Sequence, residues 1–164
     1  MRANEQSVVG VLLAGGLSRR MGGGFKCLRL IGGVPILDLV VGRAKPQVSS
    51  LLLNVNGDPE LFQSYDLPII PDVIDGYVGP LAGVLTGMEW VAAHMPDCVW
   101  LVSFATDAPF IPRDLVNRLL YSVEMENGEI ACAISNNRTQ PVFALWPVKL
   151  RHDLRQAIVE EDIR

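Results

Sequence analysis

Charge is thin in this sequence: Asp, Glu, Lys and Arg make up 20% of its 164 residues, and the formal net charge is −4. That balance offers no net attraction to a polyanion, and no Lys/Arg block is long enough to make a local basic patch, which excludes nucleic acid as an expected partner. Aromatics are sparse too, at 7%. No basic residues interleave with Trp90, Trp100 and Trp146, so these are expected to pack helices and core rather than stack on bases. The three cysteines, Cys27, Cys98 and Cys132, are odd in number and lack metal-like spacing. Free buried thiols suit a reducing compartment, and the cytoplasm is expected. His94 and His152 are far apart and late in their helices, and are read as surface residues. The opening apolar run, residues 8–14, is far short of the ~20 residues a membrane span needs, and the polar residues before it make no signal peptide.

What the chain does have is apolar content, 49%, with 15 glycines and 11 prolines. That composition predicts a globular fold with many ordered turns, and the length predicts a single domain over residues 1–164. Residues 8–14 read as a buried strand ending in Gly15 and Gly16. A helix is expected over 35–43 with Pro35 as its first residue, then a strand over 49–55, a short helix over 59–65 and a brief strand over 68–71. A second Gly-containing loop, 79–83, precedes a helix over 84–94 whose apolar face is Val84, Leu85, Met88 and Val91. A strand over 98–104, a helix over 112–123, strands over 130–134 and 141–146 and a helix over 148–159 complete the alternation. The whole predicts an α/β fold of three layers, Rossmann-like, around a mostly parallel sheet.

The strongest chemical signal is the segment LLAGGLSRRMGGGFK, from Leu12 to Lys26. It follows the first strand directly, at the edge where open α/β sheets bind ligands. Glycines let backbone N–H groups approach a phosphate, and Arg19, Arg20 and Lys26 supply charge that can follow a triphosphate. It is not a P-loop, because Lys26 lies between Phe25 and Cys27 instead of preceding Ser or Thr. Nor is it a dinucleotide fingerprint, since the loop is long, doubly basic and has no matching acid after the second strand.

A strand followed by LAGGxSxRMG and a nearby lysine is similar to the signature of nucleotidyltransferases that activate sugars and pterins, the nucleotide-diphospho-sugar transferase type of fold. Arg19-Arg20-Met21-Gly22-Gly23 resembles the molybdenum cofactor guanylyltransferases among them. The resemblance implies that Leu13, Ala14, Gly15, Gly16, Ser18 and Lys26 bind nucleotide, and that Arg20 and Lys26 act in catalysis. Phe25 stands where that pattern has Asp; a phenylalanine gains nothing from water there and is expected to turn against a neighbour.

Asp107 follows the central strand in Thr106-Asp107-Ala108-Pro109. An aspartate at such a strand end, facing a phosphate loop, is where a Mg²⁺ ligand is expected, the alternative being a turn residue ahead of Pro112. Asn54-Val55-Asn56 resembles the family's Asn-x-Asn, of which Asn54 alone is carried over to the nucleoside pocket. Asp72 matches a nucleotide-contacting Asp, and a carboxylate can accept both guanine donors, N1–H and N2–H₂; a surface turn next to Pro71 is the alternative. Gly79, Pro80, Leu81 and Gly83 match a GPLAG loop that brings a helix start close to the ligand. On the acceptor side, Gln140 precedes Pro141 where the family often has His.

The resemblance runs from Val8 to about Ala157 and implies transfer of GMP from GTP to the terminal phosphate of Mo-molybdopterin, with Mg²⁺ as cofactor and a cofactor-delivery protein or molybdoenzyme chaperone as a further partner. The family pattern continues into another strand that does not follow Arg164. A related transferase using CTP or a sugar phosphate, and a degenerate nucleotide-binding protein with little turnover, stand as alternatives.

Overall fold

The computed structural model describes residues 7–14, 24–76, 79–161 and 163. Strand β1 (Val8–Leu13) is apolar throughout, and its alternate side chains enter two separate cores. Val8 and Leu12 face one helix layer while Val9 and Val11 face the other, which is why a strand covered on both faces shows no polar alternation. The same division applies to β4 (Ser50–Asn54) and β6 (Trp100–Ala105): Leu51, Leu53, Val102 and Phe104 join the first core, Leu52 and Leu101 the second. Burying each such Leu or Phe contributes about 1.5–3 kcal/mol.

These strands belong to a six-stranded sheet completed by β5 (Ile69–Ile70), β7 (Ala131–Ser135) and β8 (Arg138–Pro147), in the order β5-β4-β1-β6-β8-β7. β5, β4, β1 and β6 are mutually parallel, and β8 runs antiparallel to both of its neighbours. Helices α1 (Ile36–Ala44) and α3 (Leu115–Glu126) cover one face through Leu37, Val40, Leu115 and Leu119. Helices α2 (Pro80–His94) and α4 (Arg151–Glu161) cover the other, through Val84, Met88, Val91 and Leu154, with Arg155 paired to Glu89 at 2.7 Å. The expected three layers and mainly parallel sheet are therefore present.

Several boundaries differ from the sequence expectation. Helix α2 begins at Pro80, not Val84, because Gly83 is a packing residue inside the helix rather than part of a loop. A Cβ on Gly83 would overlap Leu13 Cδ2 at 2.7 Å as well as the Asn54 side chain. Helix α3 begins at Leu115 rather than at Pro112, and a 3-10 turn (Val148–Leu150) precedes α4. A small hairpin, β2 (Leu30–Ile31) with β3 (Val34–Pro35), precedes α1 where no strand was expected. Asn136 and Asn137, both with positive φ, 49° and 58°, make the tight turn between β7 and β8, an arrangement that matches strand twist.

The loop after β6 is fastened to α1 by side chains. Arg43 donates to Ile111 O at 3.0 Å, and Gln47 donates to Pro112 O at 3.0 Å while accepting from Val116 N at 3.0 Å.

Candidate active site

Leu13 lies level with Asn54 on one side and Ala105 on the other, and Asn54 lies level with Ile70. The four parallel strands thus end on one line, and the residues just beyond them, Ala14, Asn56, Asp72 and Asp107, come to a common edge. Carboxyl edges of this kind are where open α/β sheets bind ligands.

On the β4–β5 side, polar groups are cross-linked. Asn54, 3% exposed, donates from Nδ2 to Asp72 Oδ1 at 2.8 Å and to Ile70 O at 3.2 Å. Asn56 donates to Asp72 Oδ2 at 2.6 Å and accepts from Asp72 N at 2.7 Å. Each carboxylate oxygen keeps a further lone pair after these bonds. The next residue, Val73, donates to Thr86 Oγ1 at 3.0 Å, and that hydroxyl donates to Ala82 O at 2.8 Å, so the Asp72 segment is tied to the first turns of α2. A cavity of ≈260 Å³ opens beside this network, lined by Asn56, Gly57, Asp72 and Asp75 among others. Gly79 caps α2 and Pro80 is its first residue; both are exposed, Leu81 is half-buried and Gly83 is buried.

On the β1–β6 side, Lys26 is exposed between two anchored neighbours. Phe25 is half-buried and meets Phe62 edge-on, with ring centroids 5.0 Å apart. Its ring lies so close over Gly57 that a Cβ there would come within 2.5 Å of Phe25 Cζ. The expected turning of Phe25 against a neighbour is therefore found, and the neighbour is the loop that follows Asn56. Cys27 is 2% exposed, and burial, with nearby Asp107 as a lesser cause, pushes its thiol up to about 11.

Gly15, Gly16, Ser18, Arg19 and Arg20 lie outside the described residues. Of the others, Leu13 is half-buried and Ala14, which donates to Asn54 O at 2.9 Å, is buried. Asp107 is exposed, and among the described residues it makes no ion pair; the ion pairs found there, Lys149–Glu129 and Arg155–Glu89, lie elsewhere. No group of three or more His, Cys, Asp or Glu able to hold a metal occurs among the described residues. A lone exposed carboxylate fits Mg²⁺, which keeps several waters and is commonly held by one or two carboxylates plus substrate phosphates. β8 is antiparallel to β6, so its first residues, Arg138 and Gln140, lie toward the Asp107 end.

Residues 10–164 match the family described as MobA-like NTP transferase domain. A protein of Bradyrhizobium sp. (strain ORS 278) named molybdenum cofactor guanylyltransferase is 52% identical over 158 residues, 96% of this chain and 74% of that protein. The chain belongs to this family. A second protein of the same name, from Rhodopseudomonas palustris (strain HaA2), is 53% identical over 94% of this chain and 72% of its own length. Among solved structures, molybdopterin-guanine dinucleotide biosynthesis protein A from Archaeoglobus fulgidus superposes with a TM-score of 0.74 at 21% identity, covering 95% of this chain and 75% of that one.

Within this MobA-like frame, sequence reasoning passed over Asn56, Thr106, Cys27 and Gly57. Asn56 was legible as the second half of Asn-x-Asn. Thr106 and Cys27 each flank a chosen residue, and nothing in their spacing announces that both are buried.

Proposed function

We infer that this chain works as a molybdenum cofactor guanylyltransferase, transferring GMP from GTP to the terminal phosphate of Mo-molybdopterin and releasing pyrophosphate. The observation that supports the reading is the shared strand edge: the Asn54–Asn56–Asp72 network and Asp107 stand at or just beyond the ends of neighbouring parallel strands. An acceptor phosphate oxygen forms a bond to the α-phosphorus as the bond from that phosphorus to the β-phosphate oxygen breaks, and the electron pair leaves with pyrophosphate. No protein nucleophile is needed, so positioning and charge supply the rate.

Asp72, with one lone pair left on each oxygen, faces N1–H and N2–H₂ of guanine, while Leu13, Ala14 and the start of α2 flank the nucleotide. Lys26 and Arg20 offset charge growing on the leaving pyrophosphate. Asp107 would hold Mg²⁺, which when bound would offset the phosphates' negative charge. The acceptor enters from the Arg138–Gln140 side, brought by a cofactor-delivery protein or a molybdoenzyme chaperone. The unpaired Cys27, Cys98 and Cys132 support a cytoplasmic setting, and no described helix is long and apolar enough to cross a membrane.

The test is pyrophosphate release with Mo-molybdopterin and Mg²⁺, run with GTP and CTP in parallel. Release with GTP far above CTP is expected. Preference for CTP would replace the donor, and no release with either would sink the reading.

A further inference from the structure

Lys26 is exposed between two residues held inward. Cys27 is buried in the core beneath α1 and α3, and Phe25 packs against that same core. The backbone bonds of this short turn are local: Leu28 N donates to Phe25 O and Arg29 N to Lys26 O, each at 3.1 Å. The ring of Phe25 reaches further. It meets Phe62, fully buried in the 3-10 stretch Pro59–Tyr65, with the two planes at 78°, one of the favoured aromatic arrangements. Its tip lies on Gly57, where a Cβ would come within 2.5 Å of Cζ and 3.3 Å of Cε2. Gly57 follows Asn56, which donates to Asp72 Oδ2 and accepts from Asp72 N, and it lines the ≈260 Å³ cavity beside them. One ring thus joins the turn carrying Lys26 to the loop carrying Asn56, and the fit requires that residue 57 have no side chain.

We propose that Phe25 is a positioning residue for the transfer reaction: its ring, seated on Gly57 and Phe62, fixes the turn that carries Lys26 against the loop on the nucleoside side. Where the family pattern puts a charge before the lysine, this chain uses apolar contact. A carboxylate in that seat would give up water and gain no partner from a glycine and a phenylalanine ring. The effect on rate rests on the guanylyltransferase reading; the seat itself belongs to the fold. The Asn54–Asn56–Asp72 network keeps its own hydrogen bonds, so moving the ring shifts the lysine against the phosphates and leaves the choice of base in place.

The experiment compares Phe25→Ala, Phe25→Leu, Phe25→Asp and Gly57→Ala by kcat, by competitive binding of GTP, ATP and guanosine, and by amide hydrogen exchange at Leu28 and Arg29. Phe25→Ala should lower kcat by about a hundredfold, the scale of a group displaced by about 1 Å. It should weaken GTP relative to guanosine by about tenfold, the lower worth of one charged hydrogen bond, keep the preference for GTP over ATP, and speed exchange at both amides. Phe25→Leu should retain most of kcat, and Phe25→Asp should be no better than Phe25→Ala. Gly57 lacks the positive φ that would strain alanine, and the three atoms nearest its missing Cβ all belong to the Phe25 ring. Gly57→Ala should therefore act in the same direction as Phe25→Ala, and adding Phe25→Leu to it should cost less than the sum, because the smaller side chain makes room. In a Lys26→Ala background, Phe25→Ala should cost less than about threefold, since both act on one group. The full hundredfold loss in that background, or wild-type kcat in Phe25→Ala or Phe25→Asp, would overturn the positioning role. Binding and exchange need no turnover, so a wild-type protein that released no pyrophosphate would refute the reaction while they still decided the role of Phe25. If Phe25→Ala does not fold, Gly57→Ala reads the same contact, and wild-type GTP binding and exchange in that variant would likewise refute the proposal.

Discussion

On the β4–β5 side of the edge, Asp72 accepts a hydrogen bond from each of two asparagines, while on the β6 side Asp107 stands exposed and without an ion pair among the described residues. The contrast follows from what each flank is proposed to meet. A neutral base is told from its rivals by where donors and acceptors sit, so the groups reading it gain by being fixed beforehand. A metal ligand gains by staying open to solvent until phosphates and ion arrive together, because the ion brings its own water and completes its shell with substrate. One flank is built for discrimination and the other for charge.

The largest effect should come from breaking the charged flank. Asp107→Asn keeps size and removes charge where the phosphates are proposed to bind, and Lys26→Ala removes a cation proposed to face them. Each should lower kcat by about a thousandfold, the upper scale for losing one group that stabilises transition-state charge, while preference for GTP over ATP in binding titrations stays near wild type. A loss of base preference in Asp107→Asn would show that the two flanks are not separate.

Asp72→Asn should act on the other flank. One oxygen becomes an amide that faces the Nδ2 of Asn54 or Asn56, donor against donor, and the acceptor pair for guanine is lost. Preference for GTP over ATP should fall by about 1–3 kcal/mol, the worth of one good two-point contact to a base, as read by competitive binding, with kcat at saturation moving far less. A fall in saturated kcat as large as that of Asp107→Asn would break the division.

Much of this was legible in the sequence where an apolar run ends on a polar residue. Residues 8–14, 49–55 and 98–104 read as strands because burial on both faces forbids polar alternation, and Asn54, Asp72 and Asp107 stood out as polar residues at or just past the ends of apolar runs. Illegible were the contacts that join distant segments. Phe25 was visible as a departure, but its partners Gly57 and Phe62 are some thirty residues on, and a glycine with a ring against it looks in sequence like any loop glycine. The start of α2 was misplaced for the same reason: Gly83 is needed so that the helix can approach Leu13 and Asn54, a demand of packing that local propensity does not report.

The smallest effect separates the flanks by pH. The Cys27 thiol is pushed from 9.0 to about 11, burial being the main cause. A folded-state value above the unfolded one means the native chain holds a proton that the unfolded chain releases, so this contribution is complete below about pH 9 and is lost as pH rises through 11. Tyr65, hydrogen-bonded to Asp38 at 2.5 Å, and Cys132 are also raised by burial, so the quantity to measure is a difference between proteins. Cys27→Ser keeps nearly the size of the side chain but does not titrate in this range. Denaturant unfolding of both proteins between about pH 8 and about pH 11 should show wild type losing more stability than Cys27→Ser. Cys27 follows Lys26 in the chain, and no thiol takes part in the Asn54–Asn56–Asp72 network. Alkaline pH should therefore lower wild-type kcat before it lowers GTP preference, with the kcat fall shallower in Cys27→Ser; parallel curves for the two proteins would mean that the thiol's proton has no part in holding the charged flank.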